Sequence, residues 1–159
     1  MRPENFLKYF YGHNYLASLT GILNGTLGEK IHLKGLVGSA KSIFTAILFK
    51  EAKCPLLILT DNREDAAYFY DDLFNLGLKE ATLFFPSSYK RSIQYGRPER
   101  DNIVQRTETL SKINEKNSPK IVVTYPEALI EKVISQDDLE KSILTVGVGD
   151  KISLGFITE

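Results

Sequence analysis

Eight consecutive residues, Gly35-Leu36-Val37-Gly38-Ser39-Ala40-Lys41-Ser42, hold the clearest chemical pattern in this chain. They match the phosphate-binding loop G-x-x-x-x-G-K-[ST] at every position except its second glycine, which is Ala40. Such a loop turns successive backbone N–H groups inward around a β-phosphate. A lysine reaches the β/γ oxygens, and a hydroxyl meets Mg²⁺ where a helix begins. Lys41 and Ser42 supply those two groups. Ala40 is expected to put a Cβ where backbone and phosphate come close, at backbone angles that cost alanine about 1 kcal/mol or more. The octapeptide predicts a nucleotide-binding fold whose site (Gly35, Gly38, Ser39, Ala40, Lys41, Ser42) is vestigial.

Other residue types offer less. Hydrolysis of a nucleotide requires an acidic residue at a strand end to hold Mg²⁺ and a group to position water. The carboxylate pairs Asp71-Asp72 and Asp137-Asp138 fall inside a helix and at a helix start, so both read as solvated faces or caps. No residue here reads as catalytic, and turnover by this segment is not expected. His13 and His32 are isolated and have no partner spacing for a metal or a triad. The single Cys54 excludes an internal disulfide and any multi-cysteine metal site, and it reads as a buried small apolar residue. The segment from Ser87 to Pro98 has no periodicity and interleaves aromatic with basic residues: Tyr89, Lys90, Arg91, Tyr95, Arg97 and then Arg100. Tyrosines among arginines can stack bases and neutralise phosphates. Glu99 and Asp101 dilute that charge, so contact with DNA, docking of a domain and an ordinary solvated loop all stay open.

The elements that must position the loop follow from periodicity. Lys30–Lys34 alternates apolar and polar residues and predicts a strand leading into the loop; residues 42–52 have helical spacing, and 55–60 form a continuous apolar run typical of buried parallel strands. Upstream, 4–11 and 13–24 read as helices packing against this unit, with Gly25-Thr26-Leu27-Gly28 as a turn. Downstream, Thr60-Asp61-Asn62 offers caps for a helix over 63–75 that Gly77 ends. A strand at 82–86, a helix over 101–114 and a strand at 120–125 come next. Pro126 then opens a helix continued by Leu129, Ile130 and Val133. Strands alternating with helices predict an α/β fold with an open, mainly parallel sheet flanked by helices. Residues 143–150 read as the strand opening a further unit that stops abruptly. The expectation is therefore a lobe over 1–142 and the truncated start of a second, inserted domain over 143–159.

Composition sets the outer bounds. The 159 residues suffice for a well-packed domain, with 43% apolar and 25% charged residues. Twenty basic residues balance twenty acidic ones, so no whole-chain field favours nucleic acid. No apolar run approaches membrane-spanning length and the N-terminus lacks a signal peptide's apolar core, which predicts a cytoplasmic protein without a membrane partner.

Taken in order, three segments resemble the first lobe of superfamily-2 helicases: Gly35–Ser42, Leu59–Ala67 after the next strand, and Val122–Leu129 with its strand and small-residue turn. Within that superfamily the chain is similar to the excision-repair protein UvrB and to the UvrB-like N-terminal module of transcription-repair coupling factors. Thr82-Leu83-Phe84-Phe85-Pro86 and Ile143–Gly147 fall in the UvrB order. Two departures favour the coupling factors: Ala40 in the loop, and a segment 87–100 too short for UvrB's tyrosine-rich hairpin. The resemblance implies a RecA-like lobe of the P-loop NTPase class, here non-hydrolysing and serving as scaffold. ATP and Mg²⁺ would be cofactors of the full-length, ATP-dependent DNA translocase, and of this segment only if its loop still binds them. UvrA, RNA polymerase and double-stranded DNA are the implied partners of the full-length protein, and the rest of its own chain is the implied partner of the segment.

Overall fold

In a computed structural model the described residues are 3–12, 14–25, 30–89, 99–115 and 118–142. Three short strands form a parallel sheet: β1 (Leu56–Leu59), β2 (Thr82–Phe84) and β3 (Ile121–Thr124), in the order β1-β3-β2. Each matches an apolar run in the sequence, trimmed at its ends. The register aligns Leu56 and Thr82 with Ile121, and Ile58 and Phe84 with Val123, so these residues share one face. That face is the core. Ile121 and Val123 are fully buried with Ala46 and Ile47 of α3 (Ala40–Ala52) and with Ala66 and Leu73 of α4 (Arg63–Leu73). Upstream, α1 (Pro3–Leu7) and α2 (Asn14–Gly25) add Leu7 and Leu16 to the same cluster.

Local chemistry explains the limits of α4. Asn62 adopts an extended conformation and its side chain accepts a hydrogen bond from the Asp65 N–H at 2.8 Å, while Glu64 and Asp65 place negative charge on the helix's positive end. The helix loosens into a π-turn over Phe74–Leu78, and Gly77 takes φ of 84°, a left-handed angle that favours glycine. The crossover from β2 to β3 runs through α5 (Arg100–Asn114), whose Thr109 hydroxyl donates to the Phe84 carbonyl at 2.9 Å. On the sheet face opposite the core, Leu110 and Ile113 of α5 border a groove of about 740 Å³ with Leu57 and Val122. Leu57 remains 62% exposed there, so this face is covered at β2 and open at β1.

Three expectations are corrected. Lys30–Lys34 forms no ladder with the sheet: the chain from 30 to 37 is irregular, and Ile31 and Leu33 line an apolar groove with Leu16, Leu19, Ile43 and Phe44 of α2 and α3. Alternation reports one apolar face, and here that face meets helices. The helix opened by Pro126 is the single turn α6 (Pro126–Leu129), and the chain then leaves helical geometry with Ile130 and Val133 exposed. Cys54 is only half-buried. The final helix, α7 (Gln136–Ser142), has Asp137 and Asp138 in its first turn, and Ser135 caps it: the Ser135 hydroxyl accepts from the Asp138 N–H at 3.2 Å and donates to Asp138 Oδ2 at 2.7 Å. The strand expected at 143–150, and with it the second domain, lies outside the described residues, as does most of the Gly25–Gly28 turn.

Candidate functional site

The loop joins an irregular approach to the N-terminus of α3. Its two left-handed residues are Gly35 (φ 88°) and Gly38 (φ 55°), so both glycines are required by the backbone. Ala40 is not: it is the first residue of α3, outside the left-handed region. The expected angular cost of alanine is therefore absent. Ala40 lines the apolar groove with Ile43 and Phe44 and does not line the polar pocket under the loop.

That polar pocket, of about 520 Å³, lies between the loop, the end of β1 and α4. Gly38, Ser39, Lys41 and Ser42 line one side, and Asp61, Asp65, Tyr68 and Asp72 line the other. The structure thus gathers four of the six expected nucleotide residues around one cavity, with Gly35 and Ala40 outside its lining. The backbone N–H of Ala40 donates to the Val37 carbonyl at 3.1 Å, and that of Lys41 to the Gly38 carbonyl at 3.3 Å. Two amides that a phosphate cradle would turn inward are thus closed onto the loop's own carbonyls. The Lys41 side chain is exposed and has no hydrogen bond or ion pair among the described residues. Ser42 is 2% exposed, and its hydroxyl donates to Asp72 Oδ2 at 2.8 Å. Asp72 is accordingly not a solvated helix residue; it bridges α4 to the loop, whereas its neighbour Asp71 is exposed. No group of three potential metal ligands converges among the described residues.

A second polar cluster escaped the sequence reading. Arg106 of α5 is 5% exposed and donates through Nη1 to the carbonyls of Pro86 (2.6 Å) and Ala128 (3.0 Å). The same nitrogen lies 3.6 Å from Glu131, and the guanidinium sits 4.1 Å from the centroid of the Phe85 ring. Burial pushes the Arg106 guanidinium below its ordinary value, against the pull of Glu131. Glu131 accepts from the Ser87 hydroxyl and from the Ser88 N–H at 3.1 and 3.0 Å. Burial works to raise the Glu131 carboxyl, but these hydrogen bonds and Arg106 outweigh it and hold it below the ordinary range. The Tyr125 hydroxyl, pushed up by burial, accepts from the Ser87 N–H at 2.8 Å. Ser88 and Glu99 are joined by a backbone bond of 2.9 Å. This knot fixes residues 86–88 and the start of α5, the two ends of the basic, aromatic segment.

Of that segment's expected contact residues, Tyr89 is half-buried and Arg100 is exposed at the start of α5. Lys90, Arg91, Tyr95 and Arg97 lie outside the described residues. Arg106 is the one cation among the buried residues of α5, with Asn102 and Thr109, but its acceptors are 20 and 22 residues away in sequence, so no local pattern marks it.

The chain is similar to the transcription-repair-coupling factor of Bacillus subtilis, at 29% identity over 139 residues, 87% of this chain and 12% of that protein. It is likewise similar to those of Rickettsia bellii (29% identity over 72% of the chain, 10% of the relative) and Rickettsia typhi (28% over 67%, 10% of the relative). The chain spans about a tenth of the length of the relatives it matches. No family model and no solved structure matches it.

Proposed function

From this similarity to transcription-repair-coupling factors, we propose that the chain serves DNA repair as a UvrB-like docking and scaffold module, a RecA-like lobe that does not hydrolyse nucleotide. The similarity runs through most of the chain, and the observation that carries the scaffold reading is the loop itself. Its cradle amides bond to Val37 and Gly38, and its hydroxyl is held by Asp72. ATP and Mg²⁺, double-stranded DNA, RNA polymerase and UvrA belong, on this reading, to the whole protein. This lobe contributes surfaces to that assembly in the cytoplasm. The basic segment from Tyr89 to Arg100, anchored at both ends, is the proposed docking surface. Among the described residues no helix is long and apolar enough to cross a membrane.

The reading is tested by phosphate release from Mg·ATP, with and without duplex DNA, together with a calorimetric titration of the same preparation. No turnover and no saturable heat are expected. Turnover or binding abolished by Lys41→Ala would instead establish a working ATP-binding lobe of the UvrB type.

A further inference from the structure

Building on the reading of the loop as a retired nucleotide site, we infer that Asp72 is the residue that keeps it closed, through an autoinhibitory contact with Ser42. The sequence alone points to Ala40 as the defect. The structure removes both reasons for that: Ala40 has no left-handed backbone angle, and it lines the apolar groove behind the loop and not the polar pocket. A glycine at this position would leave the polar pocket as it is.

Asp72 acts where a nucleotide would have to act. Its Oδ2 accepts the Ser42 hydroxyl at 2.8 Å, a charge-assisted bond at a side chain that is 2% exposed. Its carboxylate shares the pocket with Asp61 and Asp65, against the single ammonium of Lys41. An incoming polyphosphate meets three carboxylates and one cation in a partly enclosed space, where like charges disfavour binding. A carboxylate beside the loop hydroxyl could also assist a bound Mg²⁺ from behind. That role needs the loop amides to face the pocket and hold the β-phosphate, and those of Ala40 and Lys41 are bonded to the carbonyls of Val37 and Gly38. The carboxylate is also poorly placed to retreat, because α3 and α4 are joined through the buried cluster of Ala46, Ile47, Ala66 and Leu73.

The experiment is a calorimetric titration of the 159-residue chain with Mg·ATP, in parallel with Ala40→Gly, Asp72→Ala, Asp72→Asn and the Ala40→Gly/Asp72→Ala double variant. Far-UV circular dichroism and urea unfolding confirm that each is folded, and the near-isosteric Asp72→Asn carries the test if the alanine variant is not. The parent and Ala40→Gly are expected to show no saturable heat. The Asp72 variants are expected to gain binding at least on the order of tenfold tighter than the limit set by the parent. Binding gained by Ala40→Gly alone, or no gain in any folded Asp72 variant, overturns the assignment to Asp72. Binding by the parent would instead sink the retired-site reading itself, so the two failures are distinguishable.

Discussion

The phosphate-loop pocket and the Arg106 knot are both polar, yet they are organised in opposite ways. In the pocket, Lys41 and Asp61 are exposed, Ser42 has one partner, and acidic groups outnumber basic ones. In the knot, a buried guanidinium and a carboxylate share hydrogen bonds with Pro86, Ser87, Ser88 and Ala128. The region with the recognisable motif is therefore the less constrained one, and the region without a motif fixes the fold. A motif is a pattern of residue types along the chain, whereas a buried charge is held by the partners it meets across the fold, as Arg106 Nη1 is by two carbonyls while its buried Nη2 has none among the described residues.

The sharpest way to break this contrast is to remove Arg106. Arg106→Ala leaves Glu131 and the carbonyls of Pro86 and Ala128 short of a donor in a largely dry site, and is expected to cost about 3 kcal/mol in urea unfolding. A loss below about 1 kcal/mol would mean that the knot does not anchor the fold. Next in size is the acid dependence of stability that Glu131 confers. Its carboxyl is held below the ordinary value in the folded chain, so the stability it adds is complete above the unfolded value, near pH 4.5, and is lost as pH falls through the lower folded value. Glu131→Gln should flatten the fall in urea midpoint between neutral and about pH 3.5; an unchanged slope would remove Glu131 from the account.

Smaller effects sharpen the other side of the comparison. Asp72→Ala leaves the buried Ser42 hydroxyl without its charged acceptor and should cost about 1.5 kcal/mol of stability, however it affects nucleotide binding. Lys41→Ala, at an exposed cation with no partner among the described residues, should fall within about 0.5 kcal/mol of the parent. If Lys41→Ala cost as much as Arg106→Ala, the loop would be a structural element and the contrast would vanish.

Much of the architecture was legible because it is written in local patterns. Apolar runs marked all three strands of the parallel sheet, Asn62 and Gly77 marked the ends of the helix region between β1 and β2, and Pro126 marked a helix start. The loop's location was legible too, as was the glycine that its motif asks for at position 35, whereas the left-handed angle at Gly38 falls where the motif leaves the residue open. The order of segments pointed to the same relatives that sequence comparison finds. Other features depended on which distant residues meet. Lys30–Lys34 alternates like a strand, but whether its apolar side meets a sheet or a pair of helices depends on elements elsewhere. Asp72 looked solvated because its helix neighbours said nothing about Ser42, thirty residues earlier. Ala40 looked obstructive until its place at the start of α3 was known, and Arg106 drew no reading because its acceptors lie 20 and 22 residues away. Periodicity and capping act over a single turn or pleat, so the chain's own order determines them. Hydrogen-bond partners and the sign of a pocket's charge arise only when helices pack, and the tertiary structure alone decided those.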